Sequence, residues 1–78
     1  GVDFRWSIYK LAQQAGIEGI VMNKNDGSVY CELQGPIEIV KQLISKIKAG
    51  PTPYARINKI KIIEGSLQNY HHSFQITH

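Results

Sequence analysis

Arg5 stands at the mouth of a helical pattern, preceded by Gly1-Val2-Asp3-Phe4. That residue type in that place suggests anion chemistry. Backbone N–H groups at a helix start lack intrahelical partners and carry partial positive charge, so they attract phosphate or carboxylate. An arginine adds a permanent charge and a planar fork of donors that binds two oxygens at once. Residues 1–5 therefore read as an anion site: a flexible glycine, a turn and a cation at the first helical residues.

Other side chains with chemical potential carry less. His71-His72 and His78 invite a metal reading. Adjacent histidines in a strand point to opposite faces and make a poor ligand pair, so they are read as solvated tail residues. Cys31, the single cysteine, has no activating motif beside it and reads as a buried small hydrophobe. It makes no internal disulfide, which fits a cytoplasmic location. Trp6, Tyr9, Tyr30 and Tyr54 read as packing or rim residues, and Lys41, Lys46 and Lys48 as a solvated helix face. The formal charge of +3 suits an anionic small molecule. It falls short of the dense basic stripe of a nucleic-acid binder. No apolar run approaches the roughly 20 residues that span a membrane.

The elements that must position Arg5 follow from periodicity. Phe4, Ile8, Leu11, Ala12 and Ala15 make one apolar helical face, with the helix starting near Arg5 and ending at Gly16. Residues 18–22 and 28–33 read as two strands joined by the Asn25-Asp26-Gly27 turn, a β-hairpin. Gly35-Pro36 opens a second helix, with proline at its first helical position, and Ile37, Val40, Leu43, Ile44 and Ile47 on its apolar face. Lys46 and Lys48 suit the negative end of its dipole, and Gly50-Pro51 stops it. Pro51-Thr52-Pro53 is a stiff connector. Residues 55–64 read as a strand in which Ile57 is out of phase with Ile60 and Ile62, which predicts a bulge near Asn58-Lys59. Residues 65–70 are a loop and residues 73–77 a short last strand.

The order helix, strand, strand, helix, strand, strand predicts a single α+β domain over residues 1–78. With one strand in front, it becomes the β-α-β-β-α-β ferredoxin-like sandwich plus a short extra strand: two helices on one face of a mainly antiparallel sheet. The first strand of that topology lies inside the sheet and is absent from this sequence. A domain lacking it is expected to leave backbone groups unpaired, to swap strands with a neighbour, or to fill the gap from elsewhere. The alternative expectation is a natural protein with about a dozen more residues in front.

Two stretches resemble the acylphosphatase family. Gly1-Val2-Asp3-Phe4-Arg5 is similar to the second half of the family signature G-x-V-Q-G-V-x-F-R. Gly19-Ile20-Val21-Met22-Asn23-Lys24-Asn25-Asp26-Gly27 resembles the second signature, G-W-V-x-N-x-x-D-G, with Ile20 in place of tryptophan. Gly35-Pro36, Gly50-Pro51, Ala55-Arg56-Ile57 and Phe74-x-Ile76 follow the same pattern in the same order. The sequence departs from it at Asp3, where glycine is common and where the carboxylate is expected to point to solvent, and in lacking the leading G-x-V-Q.

The resemblance implies hydrolysis of acyl phosphates to carboxylate and phosphate, with no metal or cofactor. Its phosphate-binding arginine falls on Arg5 and its water-orienting asparagine on Asn23. Loop amides falling on residues 2–5, beside Gly1, cradle the phosphoryl group. The chemistry is reasonable on its own terms. The leaving group is good, so positioning a water and holding spread charge supply much of the rate. An asparagine both donates to and accepts from a water without adding negative charge. The implied partner is a small-molecule acyl phosphate, with no nucleic acid and no membrane. A monomer is expected for an intact domain and a strand-swapped oligomer for a truncated one.

Two other functions compete. One is the acylphosphatase-like N-terminal domain of a carbamoyl-transferring hydrogenase-maturation protein, which carries the same two motifs and acts on carbamoyl phosphate. The other is a non-enzymatic ferredoxin-like binding module, for which Tyr30 is the one aromatic candidate and the basic-aromatic ribonucleoprotein motif is missing.

Overall fold

The computed structural model describes residues 2–50 and 57–77, with side chains from Phe4 onward. Gly1, residues 51–56 with Tyr54, Ala55 and the Pro51-Thr52-Pro53 connector, His78, and the side chains of Val2 and Asp3 lie outside the described residues.

Helix α1 runs Val2–Ala15, three residues earlier than expected. Residues 2–5 are thus its first turn, not a loop leading to it. Phe4, Ile8 and Ala12 are buried on one stripe. Gly16 (φ 71) closes the helix: its N–H donates to the Gln13 carbonyl, and that of Ile17 to the Ala12 carbonyl. This left-handed exit turns the chain straight into strand β1, Glu18–Asn23. A five-residue loop then leads to β2, Val29–Gly35. Pro36 does not occupy the first helical position. It is the N-cap of α2 (Ile37–Ala49), extended at ψ 132, and its carbonyl accepts the N–H groups of Ile39 and Val40. Val40, Leu43 and Ile47 form the buried stripe of α2. Strands β3 (Ile57–Glu64) and β4 (Phe74–Thr77) complete the order.

Both helices cover one face of a four-stranded sheet in the order β3-β2-β1-β4. A single cluster joins the layers: Phe4, Ile8 and Ala12 from α1, Val40, Leu43 and Ile47 from α2, Val21, Val29, Cys31, Leu33 and Phe74 from the strands. Each large aliphatic buried there contributes about 1.5–3 kcal/mol, enough in sum to fix the sandwich. The α+β sandwich is as expected, but its sheet is mixed instead of mainly antiparallel. Only β1/β2 is antiparallel, while β1/β4 and β2/β3 are parallel. The expected gap is also missing. The two strands that a ferredoxin-like sheet holds apart, β2 and β3, pair directly, because backbone donors and acceptors seek the nearest partner strand. The predicted bulge is present. Val29 pairs with Ile57 but Tyr30 with Lys59, leaving Asn58 as the extra residue.

The far face of the sheet is covered by the segment between β3 and β4. The Gln34 side chain donates to the Gln68 carbonyl at 2.9 Å and accepts the Gln68 N–H at 2.8 Å. Tyr30 and Tyr70 each donate a hydroxyl hydrogen bond of 2.6 Å to the Glu32 carboxylate. His71 and His72 lie in a turn, both at φ 56, not in a strand.

Candidate functional site

The site lies at one end of the sandwich. α1 and β1 are antiparallel neighbours of nearly equal length, about 21 and 20 Å from their residue counts. The first turn of α1 therefore meets the last residue of β1. The same end receives the last turn of α2 and the first residues of β2 and β3, since Asn23, Val29 and Ile57 form one row across the sheet.

Arg5 is not a surface arginine in the first turn. It retains only 9% of its exposure and sits on the core-facing stripe beside Phe4 and Ile8. A charged group on that stripe costs desolvation energy. The amides of residues 2–4 belong to the first helical turn, where no intrahelical acceptor precedes them.

Asn23 faces the same layer. Side chains alternate along a strand, and Val21, two residues before, is fully buried against the helices. Asn23 therefore points to the helix side, where its Oδ1 is buried and has no hydrogen-bond partner among the described residues. A buried amide oxygen without a donor costs about 1–3 kcal/mol, a standing preference for a donor such as water at that point.

The hairpin beyond Asn23 is held by its own chemistry. Asp26 Oδ1 accepts from the Ser28 N–H at 2.9 Å and from the Ser28 hydroxyl at 2.6 Å. The Ser28 hydroxyl, then its amide, lowers the Asp26 carboxyl below its ordinary value. The Lys24 N–H donates to the Ser28 carbonyl, and that of Gly27 to the Lys24 carbonyl. Asp26 and Gly27 thus shape the turn, as expected, and aim the end of β1.

Other candidates fall away from this end or from reactivity. Cys31 is fully buried, and burial pushes its thiol up to about 12. His72 is exposed, with Nδ1 3.7 Å from Glu18 at the opposite end. Among the described residues no cluster of three metal-binding side chains occurs, and no helix is long and apolar enough to cross a membrane. A groove of about 410 Å³ runs between the helices along Phe4, Trp6, Leu11, Lys46 and Ile47, but neither Arg5 nor Asn23 lines it. Trp6 stacks on Tyr9 there, at 5.2 Å between ring centroids.

The leading glycine of the second signature, Gly19, also has a positioning role. A Cβ at Gly19 would lie 1.8 Å from the Glu32 carbonyl oxygen, so the strand that delivers Asn23 needs glycine there. A glycine inside a strand pattern is itself the signal for such a close backbone approach.

The family model for acylphosphatase matches residues 1–76. The chain is 41% identical over all of its 78 residues to an acylphosphatase of Ligilactobacillus salivarius, of which it covers 86%. It is 38% identical to the acylphosphatase of Lactiplantibacillus plantarum, over 99% of this chain and 84% of that one. Identity to the acylphosphatase of Enterococcus faecalis is 36%, over 97% and 84%. No solved structure gives a significant match.

Proposed function

The chain belongs to the acylphosphatase family, and from that premise we propose that it hydrolyses acyl phosphates at the end of the sandwich where Arg5 meets Asn23. The observation that carries the proposal is the pair itself. A buried arginine and a buried amide oxygen without a donor lie on the core-facing sides of adjacent elements, at one end.

Arg5 binds two phosphoryl oxygens, and the amides of residues 2–4 receive the remaining negative charge. Asn23 Oδ1 accepts a hydrogen bond from the attacking water and aims its lone pair at phosphorus. As the water oxygen bonds to phosphorus, the bond from phosphorus to the acyl oxygen breaks. The electron pair leaves with the carboxylate, and the water's extra proton passes to solvent. Acyl phosphate and water thus give carboxylate, inorganic phosphate and a proton. The leaving group needs no protonation, so no general acid is required. The guanidinium meets the charge that a metal otherwise neutralises.

Benzoyl phosphate hydrolysis with metals chelated tests this. Arg5→Ala and Asn23→Ala are each expected to lower kcat by on the order of 10²–10³ or more, with unchanged circular dichroism. Normal turnover in Asn23→Ala overturns the water-positioning role. A requirement for added zinc overturns the metal-free mechanism.

A further inference from the structure

Among the described residues three large apolar side chains are exposed: Trp6, Ile62 and Leu67. Ile62 lies on strand β3, and Leu67 borders a hollow with Glu18 and His72 at the end opposite the candidate site. Trp6 alone stands beside that site, next in the chain to Arg5. Helical side chains lean toward the helix N-terminus, so the indole lies over the first turn of α1, whose amides receive the phosphoryl group. Its stack on Tyr9, with 23° between the ring planes, holds it there.

The groove between the helices begins at the same place. Phe4 and Trp6, which flank Arg5 in the chain, both line it, and Lys46 and Ile47 bring the last turn of α2 against them. The groove therefore opens at the end of the sandwich that holds Arg5 and Asn23, although neither lines it. From there it follows α1 past Leu11. Phe4 to Leu11 is about 10 Å of helix, room for an aromatic ring or an alkyl chain.

We propose that this groove, with Trp6 at its mouth, takes the acyl group of the substrate and makes the enzyme selective for bulky apolar acyl phosphates over acetyl phosphate; this rests on the site assigned above. Charge fixes the phosphoryl end at the start of α1, and the apolar surface that begins there is the groove. Its volume of about 410 Å³ is that of a small-molecule pocket and far exceeds the needs of an acetyl methyl. Each methylene fully buried in it adds about fourfold in affinity. Trp6 supplies a flat, rigid face at the entrance.

The test uses methylphosphonate and hexylphosphonate, whose carbon–phosphorus bonds resist hydrolysis, titrated against the protein by NMR. It is read alongside kcat/KM for acetyl and hexanoyl phosphate. Hexylphosphonate is expected to bind at least about tenfold tighter than methylphosphonate and to shift the signals of Leu11 and Ile47. Hexanoyl phosphate should be preferred over acetyl phosphate by a similar factor, read in KM. Trp6→Ala should cut both preferences at least about threefold, and Trp6→Phe, which keeps a flat apolar face, should restore most of them. Leu67→Ala removes an exposed apolar side chain at the far end and should match the parent. Equal affinity for the two phosphonates overturns the groove, as does a hexyl preference that survives Trp6→Ala or leaves Leu11 and Ile47 unshifted. A loss in Leu67→Ala equal to that in Trp6→Ala also overturns it. Tighter hexylphosphonate binding without turnover of either acyl phosphate supports the groove while refuting the hydrolytic reading. Turnover of both with no preference does the reverse.

Discussion

Replacing Gly19 with alanine should damage this protein far more than its small volume suggests. The added Cβ would lie 1.8 Å from the Glu32 carbonyl oxygen and 2.8 Å from its carbon. A carbon and a carbonyl oxygen approach comfortably to about 3.3 Å, so β1 and β2 must part locally by roughly 1.5 Å. A ladder bond stretched that far is lost, and its buried groups cost about 1–3 kcal/mol. Gly19 also holds φ 145, where an L-residue adds about 1–3 kcal/mol of strain. The sum, about 2–6 kcal/mol, is a large fraction of the total stability expected for a domain of this size. Gly27→Ala is the control. Its φ of 87 is strained as well, but no atom lies within 4 Å of the new Cβ, so only about 1–2 kcal/mol is expected. Urea denaturation followed by circular dichroism measures both. Equal destabilisation of the two variants, or a loss at Gly19 below about 1.5 kcal/mol, refutes the close-contact argument.

Glu32 and its two tyrosines give stability a defined pH window. The Tyr30 and then the Tyr70 hydroxyl bond lower the Glu32 carboxyl, so its contribution is present above the ordinary carboxylate pKa and lost as pH falls through the lowered one. Tyr30, through its bond to Glu32, is raised to about 12, and Tyr70, through burial and the same carboxylate, is raised too. Their contributions hold below the ordinary phenol value and are lost as pH rises through the raised ones. Glu32→Gln should therefore flatten both limbs of a plot of Tm against pH, and an unchanged profile counts against the clamp. Cys31 should resist a thiol reagent in the native protein and react on adding denaturant, because burial removes both access and thiolate. Fast native labelling would contradict its placement.

Much of the fold, and the two residues that the candidate site brings to one end, were legible in the sequence. Apolar spacing announced both helices, Asn25-Asp26-Gly27 announced the hairpin, and the phase slip after Ile57 announced the bulge. The start of α1 was missed because residues 2–5 read as a turn, whereas α1 already encompasses them. Strand direction was harder still. Whether β2 and β3 pair directly depends on which backbone meets which after collapse, a long-range matter that local pattern does not encode. The burial of Arg5 was equally hidden, because its place on the core stripe follows from how α1 rolls against β1. The Glu32 clamp joins residues 38 apart and leaves no local signature.

The bulge at Asn58 also bears on how the edge of the sheet resists pairing with other chains. β3 is an edge of the sheet among the described residues, and an eight-residue edge strand is a template on which another chain can add a strand. The extra residue twists that edge out of flatness, and the exposed Lys59 and Lys61 place charge along it. β4, at the other edge, offers only four residues to pair with. The irregularity that disturbs the apolar rhythm of the strand thus also protects it against aggregation.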